Sequence, residues 1–212
     1  MKLITILSTL VFSVAAWSQT ATYEVTIESN WTREAHLALP GNAHFSPVVA
    51  ISHNQGFELL PIGGIAGPAF ERIAEMGQTA RMERALRTQM RRMNADDVVV
   101  TENQFVLRQP EQTFEITVSE EFPMVSFVSM IAPSPDWVIG AANLQLYSRF
   151  QGFKAGVTRM PLYAIDAGTE NGDFGGNFSL NNRATSPKAP INVLLGRGFD
   201  EPFAYVTFRK IN

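Results

Sequence analysis

The fold of this chain turns on the stretch Ser126–Gly140, SFVSMIAPSPDWVIG, in which strand-like sequence surrounds two prolines. Apolar and β-branched residues on both sides are typical of strands. Each proline removes a backbone donor and favours an extended conformation in the residue before it. We therefore predict two strands joined by a stiff loop. That loop would hold the Asp136 carboxylate at the end of a sheet, while Trp137 packs its ring beneath the loop.

The sequence around this stretch repeats a pattern of short strands separated by turns. Tyr23, Val25 and Ile27 alternate with polar residues, as expected for a half-buried strand. Further strand-like runs follow between residues 96 and 208, and no helical segment alternates with them. This order predicts a mainly β fold, an antiparallel sandwich or barrel, and disfavours a parallel sheet with crossover helices.

One tract in the N-terminal half, residues 68–93, has a convincing helical pattern. Pro68 suits a first helical turn, and apolar residues then recur at helical spacing up to Gly77, which should end a first helix. Thr79 is expected to cap a second helix that carries Met82 on its apolar side. The tract is therefore predicted to form a helical insertion of two short helices.

Composition restricts the classes of function that the chain can have. It has 212 residues, no cysteine and a formal net charge of −3. The absence of cysteine excludes disulfides, thiolate catalysis and cysteine metal sites. The small negative charge provides no overall field that would attract nucleic acid or an anionic membrane. Nucleic acid is therefore not an expected partner.

The first residues have the pattern of a secretory signal. Met1-Lys2 gives a short positive start, residues 3–16 are largely apolar, and Ala16 and Ser18 are small residues before a cleavage point. The apolar run is shorter than the roughly 20 residues that cross a bilayer, which disfavours an uncleaved anchor. We expect a cleaved signal peptide at 1–18, a single domain at 19–212, and a secreted or periplasmic location with no membrane span.

A second acidic turn, IDAGTENGD at 165–173, places Asp166, Glu170 and Asp173 around two glycines. Glycine permits the tight backbone that lets several oxygens converge on one point. Carboxylates and backbone carbonyls from two loops suit a hard cation such as Ca²⁺. The spacing is not that of an EF-hand, so the pattern suggests a calcium site without specifying it. The alternative for the first loop, at 133–137, is a turn at the end of a strand with a solvated acid.

These motifs together resemble the spondin N-terminal domain family of F-spondin/mindin type, which also has secreted bacterial members. SFVSMIAPSPDWVIG and, about thirty residues later, DAGTENG carry the resemblance, and AHFSPVVAISHN (43–54) and FERIAEMG (70–77) extend it over nearly the whole mature chain. The resemblance implies a β-sandwich that holds a calcium ion between two loops at one end. It also implies that the ligands are Asp136, Asp166 and Glu170. Glu170 is a departure, because the family usually has aspartate there.

The resemblance further implies a non-catalytic recognition or adhesion module whose partner is a cell-surface or matrix protein or glycan. Two alternatives remain open: a metal-dependent secreted hydrolase that uses the same acidic loops, and a structural envelope protein. The chain has no HExxH or GxSxG motif around His36, His44 or His53. We therefore expect His44 and His53 to hydrogen-bond the loop backbone rather than to catalyse.

The second predicted helix carries five arginines: Arg81, Arg84, Arg87, Arg91 and Arg92. Three of them, Arg84, Arg87 and Arg91, recur at a spacing of three and four residues and would share one face of a helix. Such a cluster is most often a solvated helix face. Binding of acidic glycans or lipid headgroups is the alternative interpretation.

Overall fold

The structure, a computed structural model, describes residues 19–36, 38–106, 111–172 and 184–212. The predicted signal peptide and Asp173 lie outside the described residues. The helices are α1 (Arg33–His36), α2 (Pro68–Met76) and α3 (Ala80–Arg91). The strands are β1 (Thr20–Ser29), β2 (His44–Phe45), β3 (Val49–His53), β4 (Ala95–Val100), β5 (Phe105–Val106), β6 (Glu111–Ser119), β7 (Met124–Ala132), β8 (Trp137–Gln145), β9 (Tyr147–Ser148), β10 (Gly152–Phe153), β11 (Gly156–Leu162), β12 (Ile165–Asp166), β13 (Asn192–Val193) and β14 (Ala204–Lys210).

The strands form two main antiparallel sheets. The smaller sheet has the order β11-β14-β1-β6, with Val25 of β1 opposite Phe208 on one side and Phe114 on the other. The larger sheet has the order β13-β12-β8-β7-β2-β5, and β3 joins β7 to β4. Strands β9 and β10 form a separate ribbon. The predicted mainly β, antiparallel fold is confirmed.

The main core lies between the two sheets. Tyr23, Val25 and Ile27 are fully buried there, as their alternation with polar residues predicted. They pack in one cluster with side chains of the larger sheet such as Phe127 and Ile131. Because each sheet contributes one apolar face to this cluster, the arrangement is a sandwich.

The larger sheet is also covered on its outer face, by helices α2 and α3. A second apolar cluster joins Val49 and Val128 of the sheet to Ile73 of α2 and Leu86 of α3. A sheet that is covered on both faces needs no polar alternation, and all nine residues of β7 are buried. The helical insertion was therefore predicted correctly, and it explains why this strand has an almost continuously apolar sequence.

The ends of the two helices match the sequence prediction except at one cap. Pro68 begins α2, and Gly77 ends it with φ of 64° while its N–H bonds to the Ile73 carbonyl at 2.8 Å. Thr79 lies at the start of α3, but its side chain makes no capping hydrogen bond. Its φ of −83° and ψ of −26° are helical, whereas a capping residue needs an extended backbone. Thr79 therefore occupies the predicted N-cap position, but the predicted side-chain cap was wrong for this reason.

The histidines bond to the backbone, as predicted. His44 Nδ1 lies 2.7 Å from the Asn42 carbonyl, and His53 Nδ1 lies 2.8 Å from the Asn54 carbonyl. The other ring nitrogen of His53 lies 2.8 Å from Ser126 Oγ. His53 has no exposed surface, so this pair is part of the core and is not open to a substrate.

Candidate metal site

The loop between β7 and β8 buries its acid. Ser134 Oγ accepts a hydrogen bond from the Trp137 backbone N–H at 3.0 Å, which closes the loop on itself. The Trp137 ring is buried and packs edge-on against Phe199, with centroids 5.1 Å apart. Asp136 has 0% of its surface exposed. The alternative of a turn with a solvated acid is therefore excluded for this loop.

Strand pairing brings the second acidic loop against the first. Asp166 of β12 lies opposite Trp137 of β8, and the Ala167 N–H donates to the Asp136 carbonyl at 3.1 Å. Asp166 Oδ1 accepts from the Gly168 N–H at 2.6 Å, so that the side chain stabilises its own turn. Gly168 has φ of 68°, and a Cβ there would lie 2.2 Å from the Ala189 carbonyl oxygen. Only glycine fits this position without strain.

One oxygen of the Asp136 carboxylate holds the second loop in place. Oδ2 accepts from the Thr169 N–H at 2.7 Å, from the Thr169 hydroxyl at 3.2 Å and from the Glu170 N–H at 3.0 Å. The other oxygen, Oδ1, is buried, and no N–H or hydroxyl group in the described part of the chain donates to it. Glu170 Oε2 is in the same condition. The two loops thus present two buried acceptor oxygens that no described donor satisfies.

The electrostatics of the three acids disfavour their charged forms. Burial raises the pKa of Asp136, although the backbone amides of Glu170 and Thr169, the Thr169 hydroxyl and the Asp166 side chain partly oppose this. Burial and the nearby charge of Asp136 raise the pKa of Asp166 to about 6. Burial, followed by the charges of Glu75 and Asp136, raises the pKa of Glu170 to about 7. A bound cation would reverse all three effects.

The three carboxylates are neighbours but do not form a complete metal cluster. Across residues 19–36, 38–106, 111–172 and 184–212, no three acidic or histidine side chains gather closely enough to hold a metal ion. The four ion pairs found among those residues include none of Asp136, Asp166 and Glu170. The oxygen-only donor set with two unsatisfied buried oxygens nevertheless fits a hard cation such as Ca²⁺.

Two contributors to this site were missed by the sequence analysis. Thr169 donates twice to Asp136 and lies directly after Gly168 in the DAGT motif, so its position within that motif was an available signal. Glu75, on helix α2, raises the pKa of Glu170 through its negative charge. Glu75 and Glu170 are far apart in the sequence, and no local pattern connects them.

Glu170 also borders a cleft of about 440 Å³. The cleft is lined by Glu75 and Met76 at the end of α2, by His44, and by Met130, Ala132 and Pro133 where β7 enters the proline loop. Two carboxylates therefore line one concave surface beside the acidic loops. His44 lies on this surface, and its Nδ1 is already engaged with the Asn42 carbonyl.

None of the helices in the described part of the chain combines the length and the apolar content needed to cross a bilayer.

Comparison with known proteins identifies the family. A family model described as Spondin_N matches residues 21–210. Spondin-1 of Homo sapiens is 30% identical over 182 residues, which cover 82% of this chain and 22% of that protein. Spondin-1 of Gallus gallus is 29% identical with the same coverage of both chains. Spondin-2 of Homo sapiens is 22% identical over 194 residues, which cover 90% of this chain and 57% of that protein.

The chain thus spans about a fifth of the length of Spondin-1 and somewhat more than half of Spondin-2. The family match includes both acidic loops, the strands of the two sheets and the helical insertion. It extends beyond the motifs that first indicated the resemblance. The chain belongs to the spondin N-terminal domain family.

Proposed function

We propose that this chain is a secreted or periplasmic, non-catalytic recognition or adhesion module that binds Ca²⁺ through Asp136, Asp166 and Glu170. The observation that carries the proposal is Asp136, which has no exposed surface and whose Oδ1 accepts no hydrogen bond from an N–H or hydroxyl group of the described residues. An unpaired charge in such a position is strongly unfavourable. A bound cation removes this penalty.

The chemistry of the donors supports calcium. All three side chains offer oxygen, and Ca²⁺ accepts six to eight oxygen ligands in flexible geometry, whereas Mg²⁺ demands a strict octahedron. Glu170 is one methylene longer than the aspartate usual in the family, and a flexible shell tolerates this difference. Three carboxylates supply part of such a shell, and loop carbonyls and water would supply the rest.

The burial of Asp136 favours a binding module over an enzyme. Its Oδ2 already accepts three hydrogen bonds from the neighbouring loop, and no part of the residue reaches the surface. A substrate therefore has no access to this carboxylate. Calcium would act here by joining the two loops into one rigid end of the sandwich, which presents a fixed surface to a cell-surface or matrix protein or glycan.

Titration calorimetry of chelator-treated protein tests the metal site. Wild type should bind Ca²⁺ at a saturable site and bind Mg²⁺ much more weakly. Asp136→Asn keeps an oxygen that can accept the Thr169 N–H but removes the charge, so its calcium affinity should fall below detection. Asp96→Asn, at an exposed position, is the matched control and should bind as wild type does. Absence of saturable calcium binding to the wild type would overturn the proposal.

A melting experiment gives an independent measure of the same site. A ligand that binds only the folded state adds about 2.7 kcal/mol of stability at a hundredfold excess over its Kd. Calcium should therefore raise the Tm of wild type by several degrees, and that of Asp136→Asn by less than about one degree.

A metal-dependent hydrolase is the second candidate, because the cleft of about 440 Å³ adjoins Glu170 and also contains Glu75 and His44. A screen against esters, phosphoesters and glycans, with and without chelator, separates the two functions. Turnover that requires a metal and is lost in Glu170→Gln would establish the hydrolase. No turnover in either condition is the result expected of a recognition module.

A further inference from the structure

Helix α3 presents its charged side to solvent because its apolar side is occupied. Met82 and Leu86 are buried against the outer face of the larger sheet. Five arginines are exposed on the helix and at its end: Arg81, Arg84, Arg87, Arg91 and Arg92. We refer to these five residues as the arginine face. The helix that the sequence predicted is therefore present, and its arginines lie together on the surface.

Most of the arginine face has no acidic partner. Arg87 pairs with Glu83 at 2.7 Å, and Arg91 donates to the Thr88 hydroxyl at 2.9 Å. The guanidinium groups of Arg81, Arg84 and Arg92 make no ion pair or hydrogen bond with any residue that the structure describes.

In the smaller sheet, by contrast, two exposed arginines are paired with acids. Arg209 lies 2.6 Å from Glu24, and Arg159 lies 3.4 Å from Glu28. Arg209 is paired with a carboxylate on the adjacent strand β1, and Arg159 of β11 is paired with a carboxylate of β1 across the intervening strand β14. A chain with a net charge of −3 has enough acids to pair every arginine, yet on α3 it leaves most of them unpaired. The positive charge of the arginine face is thus available to a partner.

The arginines form a stripe along the helix axis. At 3.6 residues per turn and 1.5 Å per residue, Arg84 and Arg91 project within about 20° of each other and about 10 Å apart. By the same geometry, Arg81 and Arg87 project about 60° around the helix axis to either side of this line. The stripe would match a linear ligand that carries repeated negative charges.

The chemistry of arginine narrows the class of ligand. A guanidinium group is planar and donates two parallel hydrogen bonds to a sulfate, carboxylate or phosphate group. Helix α3 contains no lysine, so all of its cations have this geometry. Planar donors at regular spacing favour an anionic polymer over a single small ion.

We propose that the arginine face binds a linear polysaccharide that carries sulfate or carboxylate groups. This specifies a partner for the recognition function proposed above, on which it rests, but the arginine face itself requires no calcium. A lipid surface fits less well, because membrane-binding helices insert their apolar side and that side of α3 is buried in the protein. A nucleic acid also fits less well, because α3 contains no aromatic side chain on which bases could stack.

The test compares two double variants of the full chain that remove equal charge. Arg84→Gln/Arg91→Gln removes the centre of the arginine face, and Arg159→Gln/Arg209→Gln removes two paired arginines of the smaller sheet. Binding to immobilised heparin and to polygalacturonate is measured at physiological ionic strength, with neutral dextran as a blank. The α3 variant should lose at least about tenfold in affinity for one or both polymers, and the sheet variant less than about twofold. Equal losses in the two variants, or no binding by wild type, would overturn the proposal.

Two further arms complete the design. Vesicles containing phosphatidylserine and a DNA duplex are titrated under the same conditions, and tighter binding to either than to both polysaccharides would contradict the assigned class. Polysaccharide binding is also repeated with chelator and should be unchanged. Loss of binding with chelator would contradict a site made by α3 alone. Calorimetry with calcium is read separately, so failure of the metal site and failure of the arginine face are distinguishable.

Discussion

The acidic loops and the arginine face hold opposite charges in opposite environments. Asp136 is fully buried, held by three hydrogen bonds and crowded by other acids, whereas Arg84 is exposed and its guanidinium contacts no described acid. Burial makes the first region depend on its exact partners, since an unsatisfied buried group is costly. Because solvent screens exposed charges, the second region contributes little to folding stability. The small net charge of −3 therefore does not reveal that the chain has one buried acidic cluster and one exposed basic cluster, which have different physical roles.

The largest effect on stability is expected at the buried acid. Asp136→Ala leaves the amides of Thr169 and Glu170 and the Thr169 hydroxyl without their acceptor. In saturating calcium we expect a loss of about 2–4 kcal/mol in the free energy of unfolding, measured with urea. In chelator the loss should be smaller, because the substitution also removes an unpaired buried charge. An equal loss in both conditions would contradict a metal at this residue.

The turn that supports Asp166 should be the next most sensitive position. Gly168→Ala combines φ of 68° with a Cβ 2.2 Å from the Ala189 carbonyl oxygen. We expect a loss of about 1–3 kcal/mol in urea denaturation. Gly41→Ala is the matched control, because no atom beyond its two chain neighbours lies within 4 Å of its added Cβ, and it should change stability by less than about 0.5 kcal/mol. Similar losses in the two variants would show that the Gly168 contact is not responsible.

The stability of the metal-free protein should depend on pH through the acids of the two loops. The pKa of Asp166 is raised to about 6 and that of Glu170 to about 7, so the folded state binds these protons more tightly than the unfolded state. Their charged forms therefore destabilise the fold increasingly as pH rises from about 4 to about 7. In chelator, wild type should lose more stability between pH 5 and pH 8 than the Asp166→Asn/Glu170→Gln variant loses. Saturating calcium should remove this difference, and a pH profile that both proteins share would contradict the assignment.

The smallest effect on stability is expected at the arginine face. Arg84→Gln/Arg91→Gln removes two exposed side chains, neither of which pairs with a described acid. The free energy of unfolding should change by less than about 0.5 kcal/mol. A loss above 1 kcal/mol would indicate that these arginines support the fold rather than a ligand. The same variant is the one whose polysaccharide binding should fall.

Parts of the fold and of the site could be predicted from local sequence, and parts could not. The period-two pattern of β1, the glycine that ends α2 and the stiff loop after β7 follow from backbone sterics, which act over a few residues. The Thr79 cap failed because the backbone of that residue is helical, which sequence type alone does not determine. The charge of Glu75 raises the pKa of Glu170 because α2 lies beside the acidic loop, and local sequence does not predict that placement.

The pattern of strands, the helical insertion and the positions of the acids along the chain follow from the sequence. Proline, glycine and apolar periodicity restrict local conformation wherever they occur. Two properties arise only when distant segments pack together: the burial of Asp136 with one oxygen that no described N–H or hydroxyl reaches, and the exposure of the α3 arginines without acids opposite most of them. Desolvation and charge pairing depend on which distant segments pack together. Thr169 lies 33 residues from the carboxylate to which it donates.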